Sequence, residues 1–312
     1  MMSKKLRIAF AGTPDFALPS LENLAADSDI EIVHVFTQPD RPVGRGQKIA
    51  EPPIKTLAKK FDLPLTQEKL TAKHFPSDVD FLAVVAFGQI LPSDVLELPK
   101  FGSVNLHASL LPKLRGASPI QSAILQGFEK TGVSFQKISE KLDAGDVFAS
   151  FEIALGKENS IELAEKLSQL GGEKFPEVLK KIASGEISAI PQNESEATHC
   201  SKIQKADGRV DWEQDSAEVL VRKLRAFKPW PGVWSEFEGK VVKLRELGTW
   251  NLERGTGDAK QPGEVFESDG KILVKTMDGA IELRRIQIEG KQEMDVGDFV
   301  RGERGFVGCR LS

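Results

Sequence analysis

The sequence predicts an α/β protein: an open, mostly parallel, Rossmann-like sheet over residues 1–188, then a smaller OB-like β-barrel over residues 209–312. Three observations support this. Short apolar runs alternate with helical stretches through the first half of the chain. One of them, Val79 to Ala86, is nearly continuous in apolar residues, as expected of a central parallel strand covered on both faces. The last third instead shows short strand-like runs broken by Gly-rich turns. At 312 residues the chain exceeds one typical domain, and two suit its length.

In chain order, Leu6 to Ala11 reads as a strand ending at Gly12, followed by a helix from about Phe16 to Ala26. Ile30 to Phe36 is the next strand. A polar loop from Thr37 to Glu51 leads to Pro53, which suits the first turn of a helix through Phe61. Val104 to Leu106 is a short strand, Pro119 opens a helix ending near Gly127, and Val133 to Ile138 and Val147 to Ile153 are further strands. Two helices are expected next, Ser160 to Gln169 and Lys174 to Gly185. Residues 189–208 lack apolar periodicity and read as a linker. Beyond it come a helix from Ser216 to Ala226, the turn Pro229-Trp230-Pro231-Gly232, and short strands ending with Gly305 to Arg310. Trp212 and Trp230, both beside turns, are expected as packing anchors.

Composition excludes several classes. No apolar stretch is long enough to span a bilayer and Met1 to Lys5 lacks a signal-peptide core, so a cytoplasmic protein is expected. The only cysteines, Cys200 and Cys309, lie far apart without a zinc-like pattern, so neither a disulfide nor a metal is expected. A net charge of −4 argues against nucleic-acid binding by bulk charge. Locally, Arg41, Arg45, Lys48, Lys55, Lys59 and Lys60 face only Glu51, a positive patch able to meet a negatively charged partner. Gly12-Thr13-Pro14 is not a dinucleotide turn: no G-x-G-x-x-G follows, and Pro14 removes an amide donor.

In open α/β sheets ligands sit beyond the carboxyl ends of the strands, where Gly12, Gly88 and the residues after Leu106 gather. Asn105 and His107 are two apart at the end of an apolar run, so on a strand both side chains share one face. Asn donates to a carbonyl without exchanging a proton, whereas His carries one near neutral pH; an acyl-transfer site needs both abilities. Asp143, in Leu142-Asp143-Ala144-Gly145-Asp146, can orient the imidazole and favour its charged form if the fold brings them together. Taken singly, these residues equally suit a turn, a half-buried histidine and a loop cap.

Together with their neighbours they resemble the folate-dependent formyltransferases. The resemblance covers almost the whole chain: Phe10 to Pro14, Asp40 to Gly46, Asn105 to Pro112 with Arg115-Gly116, Leu142 to Asp146, and Gly208 to Trp212. It implies transfer of a formyl group from 10-formyltetrahydrofolate to the α-amine of initiator methionyl-tRNA, without a metal. It puts the catalytic trio on Asn105, His107 and Asp143, and folate contacts on Phe87, Gly88, Ser109, Leu110, Leu111, Pro112 and Asp146. Contacts to tRNA fall on Arg41, Arg45 and Lys48, and the β-barrel is implied to bind tRNA too. A monomer is expected. Phe87-Gly88 stands where the family often has Tyr-Gly, and Ile138 to Lys141 departs from its usual loop. Within the family, a sugar-nucleotide amine or glycinamide ribonucleotide is the alternative acceptor. Further alternatives are hydrolysis of the same folate and a tRNA-binding protein with a vestigial site.

Overall fold

The computed structural model describes residues 5–43, 46–250 and 260–312. The chain divides into two compact units, the first comprising residues 1–119, 130–154 and 162–200 and the second residues 120–129, 155–161 and 201–312. Residues 189–200, read from the sequence as linker, run within the first unit.

The chain begins with β1 (Leu6–Gly12), α1 (Leu18–Ala26), β2 (Ile30–Phe36), β3 (Arg41–Val43), β4 (Lys48–Ala50), α2 (Pro53–Lys60) and β5 (Leu65–Thr66). It continues through β6 (Phe81–Val85), α3 (Ser93–Leu96), β7 (Ser103–His107), β8 (Arg115–Gly116), α4 (Pro119–Leu125), β9 (Lys130–Lys137), β10 (Val147–Ala154), α5 (Ser160–Ser184) and β11 (His199–Cys200). Seven strands form one sheet in the order β10-β9-β7-β6-β1-β2-β5. The pairs from β7 to β5 are parallel, while β9 and β10 add on antiparallel. From β1 the chain builds outward on one side with β2 and returns on the other with β6, so the crevice beyond β1, β6 and β7 is the topological switch point. Every residue of β6 is buried, as its apolar run requires of a strand covered on both faces.

Two expectations in this unit need correction. The loop from Thr37 to Glu51 contains the short hairpin β3–β4, whose strands of three residues are too brief to show an alternating pattern. The two helices expected over 160–185 are one continuous helix, α5, which passes through Gly171, Gly172 and Pro176. These glycines serve close packing. A Cβ on Gly171 would lie 2.4 Å from Leu106 Cδ2, and one on Gly172 would lie 2.6 Å from the Pro19 carbonyl carbon.

The second unit contains α6 (Ala217–Ala226), β12 (Val233–Phe237), β13 (Lys240–Trp250), β14 (Val265–Ser268), β15 (Lys271–Lys275), β16 (Ala280–Ile288), β17 (Met294–Asp295) and α7 (Val296–Gly302). Its strands form an antiparallel sheet in the order β12-β13-β16-β15-β14, with β17 on β16. Ser216 caps α6, its Oγ accepting from Val219 N at 3.1 Å. Along β13 and β16 the paired residues Val242–Ile288 and Leu244–Ile286 are buried, the period-2 pattern of a half-buried strand. The strand expected over Gly305 to Arg310 is a turn with a single bridge from Arg310 to Glu264, because Gly308 takes a φ of +90°. Trp212 is buried and donates from Nε1 to Ser235 Oγ at 2.9 Å, whereas Trp230 is 55% exposed and anchors no core. No helix among the described residues is long and apolar enough to cross a membrane.

Candidate active site

Asn105 and His107 occupy the carboxyl end of β7 on one face, and the register brings Gln136 of β9 opposite Asn105 and Ser134 opposite His107. His107 is buried. Its Nε2 lies 3.0 Å from Leu114 O and its Nδ1 lies 3.6 Å from Asp143 Oδ1. Both ring nitrogens therefore face oxygens, Nε2 within hydrogen-bond distance and Nδ1 at ion-pair distance. The Asn105 carboxamide is half-buried and bonds to none of the described residues, which leaves it available to a ligand.

Asp143 reaches the pair from the loop between β9 and β10, with φ +50°, a region Asp tolerates better than most residues. Its Oδ2 accepts from Gly116 N at 2.9 Å and its Oδ1 from Gln136 Nε2 at 2.9 Å. Gly145 lets this loop close, since a Cβ there would sit 1.7 Å from Lys137 O.

Ser109, Leu110, Leu111 and Pro112 follow β7 and are held by Ser134. The Ser134 hydroxyl donates to Ser109 O at 2.7 Å, accepts from Leu111 N at 3.0 Å and pairs with Ser150 Oγ at 2.9 Å. That is the full capacity of one hydroxyl. Ser109 Oγ donates to Lys113 O at 2.6 Å, and Pro112 O accepts from Thr198 N at 3.3 Å. Phe87 and Gly88 lie just beyond β6, the strand paired with β7 through Val84 and Asn105. Phe87 is buried and its carbonyl accepts from Thr13 Oγ1 at 2.9 Å and Gln38 Nε2 at 3.2 Å, while Gly88 has φ +80°. Asp146 joins the loop to the sheet through its carbonyl, which accepts from Lys137 N at 2.8 Å; its carboxylate bonds to none of the described residues.

Sequence reasoning missed Ser134, Gln136 and the stretch 192–200, which braces the loops around His107 and Asp143. Gln192 Nε2 donates to Asp143 O at 2.9 Å and to Gly145 O at 2.6 Å, and Gln192 Oε1 accepts from Arg115 Nε at 3.0 Å. The buried Arg115 guanidinium grips Glu194 with both ends of its fork, at 3.1 and 2.8 Å, and holds the Glu194 carboxyl below its usual range. Leu114 N donates to Thr198 Oγ1 at 2.8 Å, and Cys200 Sγ lies 3.4 Å from the same Leu114 carbonyl that His107 uses. A Cβ on Gly116 would lie 2.1 Å from Cys200 O, so the pairing of β8 with β11 requires glycine. The available signal was a run of polar residues that no apolar period explained.

Of the basic residues singled out, Arg41 and Lys48 lie exposed on the β3–β4 hairpin, and Arg45 lies outside the described residues. Arg41 Nη2 donates to Gln38 Oε1 at 2.9 Å. The positive patch is smaller than its sequence suggests. Lys55 pairs with Asp40 at 2.8 Å and Glu51 at 3.2 Å, and Lys59 pairs with Glu51 at 2.5 Å. Asp40, adjacent to the counted window, lowers the net charge, and hydrogen bonding to Lys55 holds its own carboxyl below the usual range.

The sequence profile described as formyl transferase matches residues 5–179, and the profile of the formyl transferase C-terminal domain matches residues 202–304. The chain belongs to the formyl transferase family. Among relatives of this family member, the methionyl-tRNA formyltransferase of Geobacter sulfurreducens is 37% identical, covering 98% of this chain and 96% of the relative. That of Coxiella burnetii is 39% identical over 95% of each. Solved structures share the fold. HypX from Aquifex aeolicus, in complex with tetrahydrofolic acid, has a TM-score of 0.60 at 20% identity, covering 98% of this chain, which spans 48% of HypX. An N-formyltransferase from Helicobacter canadensis has a TM-score of 0.65 at 17% identity, over 89% of this chain and 98% of that one.

Proposed function

We propose that this protein transfers the formyl group of 10-formyltetrahydrofolate to the α-amine of initiator methionyl-tRNA, as a cytoplasmic monomer. The observation that carries this reading is the meeting of Asn105, His107 and Asp143 at the end of β7, in a family member whose near-full-length relatives are methionyl-tRNA formyltransferases. The first unit carries the transfer. Ser109 to Pro112, Phe87, Gly88 and Asp146 hold the folate beyond the strand ends, and Arg41, Arg45 and Lys48 meet the tRNA backbone together with the second unit.

The chemistry suits these residues. A bond forms between the amine nitrogen and the formyl carbon, the bond from that carbon to the folate nitrogen breaks, and one proton passes from the amine to the folate nitrogen. Asn105, whose amide bonds to no described residue, donates to the formyl oxygen as negative charge develops there; one such donor contributes about 3–4 kcal/mol. His107, held between Leu114 O and Asp143, adds positive charge beside it. Asp143 carries the proton, directly or through water, for which a placed group supplies roughly 10²- to 10⁴-fold in rate.

The test is incubation of the protein with 10-formyltetrahydrofolate and methionyl-tRNA, with free methionine and a sugar-nucleotide amine as controls. Formyl transfer to the aminoacyl-tRNA alone is the expected result. Transfer only to the amino sugar, or formate release without transfer, refutes the reading.

A further inference from the structure

We infer that Gln136 is a positioning residue of this site, an inference that rests on the proposed formyl transfer. Gln136 lies opposite Asn105 across the β7–β9 pair and is only 2% exposed. Its amide orientation is dictated by its partner: an ionised carboxylate only accepts, so the end facing Asp143 Oδ1 at 2.9 Å is the NH₂. That oxygen is also the one 3.6 Å from His107 Nδ1. Gln136 and Gly116 thus hold the carboxylate from two sides, and its direction towards His107 depends on both.

The other end of the amide is the second observation. Gln136 Oε1 is buried and accepts no hydrogen bond from the described residues. Native proteins seldom leave a buried acceptor unsatisfied, and such a group calls for a functional explanation. Here the unmatched end belongs to the residue whose other end holds Asp143, the group assigned to carry the proton, so the Gln136 amide is kept for its grip on that carboxylate. The titratable groups around Asp143 are His107 on β7, Lys141 and Asp146 on its own loop, and the Arg115–Glu194 pair beside Gly116.

The experiment compares wild type with Gln136→Met, which keeps the volume and removes both hydrogen-bonding ends, and Gln136→Glu, which keeps an acceptor and sets a second carboxyl beside Asp143. Three readouts are taken: steady-state formylation, its pH profile, and NMR titration of the His107 ring in the substrate-free protein. Expected for Gln136→Met is a kcat about 10- to 100-fold lower, part of what a placed proton carrier supplies. Its KM for folate stays unchanged and its melting temperature stays close to wild type. The acid limb of kcat/KM and the His107 titration both move, because Asp143 loses a donor to its charged form. Gln136→Glu moves both further, through like-charge repulsion. Wild-type kcat with an unmoved His107 titration in both variants overturns the inference, and so does a loss of kcat that only tracks a loss of folded protein. The NMR readout needs no substrate, so a wild type that fails to formylate methionyl-tRNA overturns the functional reading and leaves the Gln136–Asp143–His107 coupling separately measured.

Discussion

Asp143→Asn is the most informative single change, because it removes a charge while leaving shape and backbone alone. Asp143 sits at φ +50°, where Asn is among the few residues that rest without strain, so the loop keeps its course. The Asp143 carboxylate accepts from Gly116 N and Gln136 Nε2 and faces His107 Nδ1. An Asn carboxamide has one accepting end, so its NH₂ must confront one of these donors. With Asp143 Oδ1 3.6 Å from His107 Nδ1, the change removes the carboxylate from beside the ring and takes away the group assigned to carry the proton, for which a placed group supplies ~10²- to 10⁴-fold in rate. Single-turnover formylation at saturating folate should fall by that order, with folate KM changed by less than about threefold. A correctly folded variant with wild-type kcat would refute the argument.

Other outcomes follow from geometry described above. Arg41→Ala should weaken methionyl-tRNA binding and lower the slope of log affinity against log salt by about 1, with folate KM nearly unchanged. Because Arg41 donates to Gln38, which donates to Phe87 O, parallel loss of folate and tRNA binding would show that Arg41 instead supports the folate wall. Gly172→Ala should destabilise by about 1–3 kcal/mol in urea unfolding although Ala is the better helix former, because its Cβ would enter the Pro19 backbone; increased stability would refute the packing argument. Burial holds the His34 imidazole below its ordinary value of 6.5. As pH falls below that value the unfolded chain takes up a proton that the folded chain resists, so stability is full above it and declines in mild acid. His34→Gln should flatten that decline between pH ~7.5 and ~5.5, measured by denaturant midpoints.

The strands that frame the site were legible because burial leaves a period in the sequence: β1, β2 and β6 start and end within two residues of their apolar runs. Asn105 and His107 were legible for the same reason, since a spacing of two on a strand is a statement about direction. Three features were not. Gly171 and Gly172 read as a break because propensity describes an isolated helix, while their purpose is contact with Leu106 and Pro19. Gln136 looked like one more polar residue near a strand end, and its meaning lies in the register with Asn105. The stretch 192–200 is joined to the site by polar side chains and backbone, which leave no hydrophobic period to find.

That stretch also sets the order in which the site is completed during synthesis. Asn105, His107 and Asp143 leave the ribosome well before Gln192, Glu194 and Thr198, yet the loops around them are tied by those later residues. A chain ending at residue 188, where the sequence alone puts the end of the first domain, contains every strand of the main sheet and the whole trio. It lacks the ties to Asp143, Leu114 and Arg115, so the Arg115 guanidinium would lose its carboxylate and the Asp143 loop its amide clasp. The first unit runs on to Cys200, where β11 closes on β8.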